Sequence, residues 1–140
     1  MRSWGITDTG LVRRENQDSY DVRTISTYTS AVVCDGMGGP AGGRIASSIA
    51  VETFQREMER LLQKDMGLQQ IVQAADYTVA LANDAIQAAA ETMEEYQNMG
   101  TTLVCAVSYA DGVVISNVGD SRAYHITENG ITRITRDHSL

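Results

Sequence analysis

The sequence predicts a layered α+β fold, with helices packed on an antiparallel sheet. Three observations lead there. Strand-like apolar runs open the chain, two stretches of helical period fill its middle, and strand-like runs divided by tight turns close it. An alternating parallel fold would interleave strand and helix instead.

Trp4 to Thr7 and Ser30 to Cys34 read as strands. Between them, Asp8 to Tyr20 is polar, carries Gly10, Asn16 and Asp18, and reads as a loop with functional groups. Asp21 to Thr29 reads as strand and turn. After Pro40 the period changes. Ala46, Ala50, Phe54, Met58, Leu61 and Leu62 fall on one helical face. Gly67 interrupts the pattern, and a second helix follows. In it Leu68, Ile71, Val72, Ala75, Val79, Ala82, Ile86, Ala89 and Met93 recur at threes and fours, the spacing of a packing face. Its many alanines suit close approach to a neighbour.

From Thr101 the period becomes strand-like. Thr101 to Tyr109 is apolar on both faces, which predicts a central strand covered on both sides. Asp111-Gly112 predicts a hairpin turn, Val113 to Val118 the returning strand, and Gly119-Asp120 the next bend. Arg122 to Ile126 reads as a further strand and Asn129-Gly130 as another turn.

The chain has 140 residues, which suits one domain. Eleven basic against 18 acidic residues leave a net charge of −7. That balance disfavours nucleic acid and anionic membranes as partners and is compatible with carboxylates grouped around a divalent cation. No apolar run has the length of a signal-peptide core or a membrane span. Cys34 and Cys105 sit inside apolar runs and read as buried free thiols, so a cytoplasmic location is expected.

The chemistry gathers at strand ends. Asp35-Gly36-Met37-Gly38-Gly39 follows the apolar run Ala31 to Cys34. A carboxylate there is well placed to hold a hard cation, since Mg2+ and Mn2+ prefer oxygen ligands. Five of the 12 glycines fall between Gly36 and Gly43, more than a simple turn needs, which suggests backbone held close to something. Asp18 ends the polar run that begins at Arg13, and Asp120 follows Gly119 at another predicted strand end. Carboxylates at separate strand ends can converge on one rim of a sheet, and an Arg fork beside them can hold phosphate oxygens. Plainer readings stay open. Asp18, Asp35 and Asp120 each also fit a turn, and Arg13 fits a surface charge. The chain has no Gly-Lys-Ser/Thr phosphate loop and no Cys/His zinc spacing. His125 and His138 assemble no triad with a serine or cysteine.

Five segments resemble, in order, the motifs of bacterial members of the protein phosphatase 2C (PPM) family. They are Thr7 to Arg13 with Asn16-Gln17-Asp18, Asp35 to Gly39, Met99 to Leu103, Asn117 to Tyr124, and Thr135 to Leu140. The resemblance implies a four-layer α/β/β/α sandwich of two antiparallel sheets flanked by helices, incomplete on its C-terminal side, with residues 1–140 the N-terminal part of a single PPM-type domain. It implies hydrolysis of phosphoserine and phosphothreonine on proteins by a metal-activated water, opposing a bacterial-type serine/threonine kinase. Carried over by position, Asp35 bridges two Mn2+ or Mg2+ ions and the Gly36 carbonyl supplies a further ligand. Asp18 joins the same site directly or through water, Asp120 serves a third, weaker ion, and Arg13 binds the substrate phosphate. Some relatives carry a histidine in or beside the glycine loop, where this chain has Met37 and Pro40. Family domains also continue beyond Leu140 with further metal-ligating aspartates. The chain by itself is therefore expected to show weak or no phosphatase activity and to associate through uncovered apolar faces. A non-catalytic module that binds a phosphoprotein or partner with the same surface is the alternative.

Overall fold

The computed structural model describes residues 1–139, so Leu140, the last residue of the fifth motif, lies outside them. Strands β1 (Asp18–Ile25) and β2 (Tyr28–Met37) form a hairpin. Helices α1 (Gly39–Leu61) and α2 (Leu68–Ala90) follow. The chain returns through a short 3-10 turn (Glu94–Tyr96) as β3 (Gly100–Thr101), β4 (Leu103–Tyr109) and β5 (Gly112–Val118). A second hairpin joins β6 (Tyr124–Thr127) to β7 (Gly130–Arg133). The larger sheet runs β1-β2-β4-β5, with β3 also paired to β2, and the smaller is β6-β7; every pairing is antiparallel. Two helices with two antiparallel sheets are the α+β class that the sequence predicts.

The helices share one side of the larger sheet. α1 lies on β1 and β2, while α2 packs along α1 and touches β5. The core between them joins Val32 and Cys34 of β2, Leu103, Cys105 and Val107 of β4, Phe54 and Met58 of α1, and Ile71 of α2. Both cysteines are free and buried. Burial pushes the Cys34 thiol up to about 12 and that of Cys105 to about 11, so both stay protonated at neutral pH.

A polar contact fixes how α1 meets the sheet. Gln55 is fully buried. Its Oε1 accepts from Ser30 Oγ at 2.7 Å, and its Nε2 donates to the Ser30 carbonyl at 2.9 Å and the Asp21 carbonyl at 3.3 Å. One amide thus bonds β1, β2 and α1 together. At the far end Tyr28 Oη donates to the Gln63 carbonyl and accepts from the Met66 amide, which pins the α1–α2 turn to β2.

Three expectations are corrected. Trp4 to Thr7 forms no strand. The segment borders the same hollow as Tyr20, Val22, Ala31 and Val33, with Gly5 against the Tyr20 ring, so it meets side chains and not a ladder edge. The central strand β4 is buried on its helix side at Leu103, Cys105 and Val107, but of its outward residues only Val104 is buried, with Ala106 and Ser108 half-buried. On that outward face Val33 is 46% and Val113 55% exposed. α2 stops at Ala90, where Thr92 Oγ1 donates back to the Ala89 carbonyl, and Met93 falls outside the helix.

Gln55→Leu keeps the bulk but leaves the Ser30 hydroxyl and two carbonyls without their partner. It should lower stability by about 2–3 kcal/mol in a denaturant titration. A loss below half of that would show that the contact is dispensable.

Candidate active site

Antiparallel order brings alternate strand ends to one rim. The start of β1, the end of β2, the start of β4 and the end of β5 all lie there. Asp18 is the first residue of β1 and pairs directly with Asp35 near the end of β2. Directly opposed residues share a face with their Cβ atoms ~5 Å apart, so the two carboxyl groups are neighbours. Asp120 lies two residues beyond Val118, the last residue of β5, at the same rim across β4.

The glycine loop lets this rim form. Gly36 packs so closely on the α1 start that a Cβ there would run into the Gly43 carbonyl. A Cβ on Gly43 would in turn run into the Gln17 side chain and come within 2.9 Å of the Gly36 backbone. Gly38 and Gly39 have φ of 127° and 82°, in the region that favours glycine. The glycine density thus has a specific cause, the passage of β2 into α1 against the Asp18 loop. Gln17 seals that contact. Its carbonyl accepts from the Gly36 amide at 3.1 Å and from Ser47 Oγ at 2.7 Å, while its Nε2 donates to the Gly39 carbonyl at 2.8 Å. Gln17 lies in the first motif with no role assigned from sequence, and Ser47 lies in no motif. Their signal was weak, a polar side chain on each side of a glycine run that tolerates no Cβ.

An open groove of about 720 Å³ lies over this junction, lined among others by Arg13, Asp18, Asp35, Gly36 and Gly38. Partial burial, a hydrogen bond with the Asp18 carboxyl, and the negative charges of Asp18 and Asp120 all push the Asp35 carboxyl up from its usual range; the Arg13 guanidinium opposes them. The other three charged positions singled out from the sequence therefore all act on Asp35. The Asp120 charge reaches Asp35, but Asp120 does not line the groove.

The donor set fits a hard cation in part. Two carboxyl groups forced side by side repel when both are ionised, and a divalent cation relieves that repulsion. Among the described residues, however, no three acidic, histidine or cysteine side chains converge tightly enough to enclose an ion by themselves. Mg2+ and Mn2+ commonly keep several waters and take only one or two carboxylates from the protein, so a partial protein shell suits them.

A rim of paired carboxylates beside an arginine, at the end of an antiparallel sheet backed by helices, defines a candidate phosphate-processing site. The family model described as protein phosphatase 2C matches residues 12–139, and the chain belongs to that family. It is 36% identical over 138 residues to the serine/threonine phosphatase stp of Listeria monocytogenes, covering 96% of this chain and 53% of the relative. It is 31% identical over 143 residues to the serine/threonine protein phosphatase PstP of Mycobacterium tuberculosis, covering 100% of this chain and 26% of the relative. The crystal structure of the serine/threonine phosphatase Stp1 from Staphylococcus aureus superposes with a TM-score of 0.86 at 36% identity, over 96% of this chain and 52% of that one. The chain spans about half the length of the Listeria relative, 53%.

The raised Asp35 has a sign that can be measured. A carboxyl whose pKa is higher folded than unfolded contributes fully below the unfolded value, and that contribution is lost as pH rises through the folded value. In chelator at neutral pH, Asp35→Asn should therefore melt at a higher temperature than the parent. The gain should vanish below about pH 4, where the unfolded carboxyl also holds its proton. A variant that melts lower than the parent at pH 7 in chelator would contradict this account of the site.

Proposed function

We propose that residues 1–140 are the N-terminal part of a single PPM-type domain whose whole hydrolyses phosphoserine and phosphothreonine on proteins in a metal-dependent reaction. The observation that carries this reading is the direct pairing of Asp18 with Asp35 beside Arg13, in a chain of the protein phosphatase 2C family. The names of the relatives, serine/threonine phosphatases, support the substrate class.

On this reading Asp35, Asp18 and the Gly36 carbonyl hold Mn2+ or Mg2+, and Asp120 serves a further, weaker ion. Such ions, when bound, supply Lewis acidity that makes water nucleophilic at neutral pH and offsets charge building at phosphorus. The protein's own contributions are then distinct. The β1–β2 register holds the two carboxyl groups opposite each other. The Arg13 guanidinium offers fixed donors to the phosphate oxygens at the groove. The glycines leave the groove floor without side chains, so that a phosphorylated side chain can come near the backbone. Proton delivery to the leaving alcohol falls to water, since Met37 and Pro40 occupy the loop where some relatives carry a histidine.

The reaction would oppose a bacterial-type serine/threonine kinase in the cytoplasm. Among the described residues no helix is long and apolar enough to cross a membrane. The incomplete protein shell around the carboxylates keeps a second reading in view, a module that binds a phosphoprotein without turning it over.

Phosphate release from a phosphothreonine peptide, measured on protein containing this chain with Mn2+, separates the two readings. The catalytic reading expects Mn2+-dependent release, cut by Asp35→Asn about a hundredfold or more. Arg13→Ala should raise KM about ten- to a hundredfold, the loss of a charged hydrogen bond. Release that ignores Asp35→Asn would refute the reading, and Arg13-dependent peptide binding without release would establish the module. The 140-residue chain by itself should turn over far more slowly than a full-length relative, and an equal rate would contradict that expectation.

A further inference from the structure

The ladder between β2 and the returning strand breaks at one residue. Val33 pairs with Val104, and Gly36 pairs with Thr101, so Asp35 and Thr102 stand opposite each other in unbroken register. An antiparallel hydrogen-bonded pair exchanges two backbone bonds. Here only one is made that way. The Thr102 amide donates to the Asp35 carbonyl at 2.9 Å. The Asp35 amide donates instead to the Thr102 side-chain hydroxyl, at 3.0 Å. The Thr102 carbonyl is taken by Thr101 Oγ1 at 2.9 Å. A hydroxyl therefore stands in for the backbone acceptor, in the middle of a sheet, opposite Asp35. A break in a local rule beside a candidate site calls for a compensating purpose.

The hydroxyl has a second partner. Thr102 Oγ1 lies 2.5 Å from Ser121 Oγ. Because Thr102 accepts from Asp35, its own proton is free to donate to Ser121. Ser121 follows Asp120 in the bend after β5. The Thr102 methyl braces the same bend, since a Cβ at Gly119 would come within 2.7 Å of Cγ2. The Gly119 carbonyl is itself held by the His138 amide at 2.8 Å. Thr102 is 4% exposed, so water competes little for its hydroxyl. A regular ladder would fix β2 equally well, but it would leave β2 unconnected to the Asp120 bend.

We infer that Thr102 is a positioning residue: its hydroxyl links the Asp35 backbone to the Asp120 bend through Ser121 and so holds the Asp35 carboxylate in place for the cation it would share with Asp18, at a set spacing from Asp120. The inference rests on the cation-binding reading of the rim given above. It predicts a division of effects that a purely structural role would not produce. Thr102→Val can let the Asp35 amide return to the backbone carbonyl, so the fold survives while the spacing is lost.

Mn2+ affinity, measured by equilibrium titration with detection of the free ion, tests this alongside thermal melting in chelator. Thr102→Val should bind Mn2+ about tenfold more weakly than the parent, the scale on which outer supports of a metal site act. Thr102→Ser keeps the hydroxyl and should stay within about threefold of the parent, while Ser121→Ala should weaken binding about fivefold, as loss of one neutral hydrogen bond does. The double variant Thr102→Val with Ser121→Ala should bind no more weakly than Thr102→Val alone, because both cut one link. A folded Thr102→Val that binds like the parent overturns the inference, as does a Thr102→Ser as weak as Thr102→Val. Should Thr102→Val fail to fold, an unchanged affinity in Ser121→Ala overturns it. Failure of the parent to bind Mn2+ removes the cation reading and this inference with it, whereas parent binding with unchanged variants removes the inference alone.

Discussion

Two carboxylates set opposite each other across a β-ladder are the constraint around which this molecule is arranged. Register pairs Asp18 with Asp35, and like charges in that position destabilise a sheet. The surrounding structure holds them there regardless. Gln17 clamps the Asp18 loop to the glycine run, Ser47 of α1 holds the Gln17 carbonyl, and Thr102 grips the Asp35 backbone from the opposite side. Strain maintained by so many neighbours is what a site for an opposite charge requires.

Much of this was legible in the sequence, for identifiable reasons. Long helices announce themselves by period, so α1 and α2 were recognisable from Ala46 to Leu62 and from Leu68 onward. Asp-Gly and Asn-Gly pairs marked the β4–β5 and β6–β7 turns. Asp35 stood out because a carboxylate after an apolar strand has few structural reasons to be there, and the structure sets it opposite Asp18. Trp4 to Thr7 misled, because a strand-like run shows that a segment could pair and not where it comes to lie, which here is beside the side chains of Tyr20, Val22 and Val33. Gln17 and Thr102 lie inside the quoted motifs, but the contacts they and Ser47 make were hidden, because these join segments far apart in sequence. No local pattern reports a threonine whose hydroxyl replaces a carbonyl.

The open sheet face belongs to the same picture. Tyr20, Val33 and Val113 present apolar surface on the side away from the helices, and the exposed hairpin β6-β7 carries Ile126 and Ile131 outward. The chain spans 53% of its Listeria relative. The core between helices and sheet is closed, while the rim carries more carboxylates than positive charge facing them. The candidate site is built on that core, because β1, β2 and α1 all contribute to the core as well as to the rim.

The central claim is that the Asp18–Asp35 pair is a place for a divalent cation. A crystal of this chain grown with Mn2+ and measured for anomalous scattering tests it most directly. The account predicts a manganese peak between the carboxyl groups of residues 18 and 35, within reach of the Gly36 carbonyl. Well-ordered aspartates with no peak between them, at a concentration that saturates a full-length relative, would contradict it.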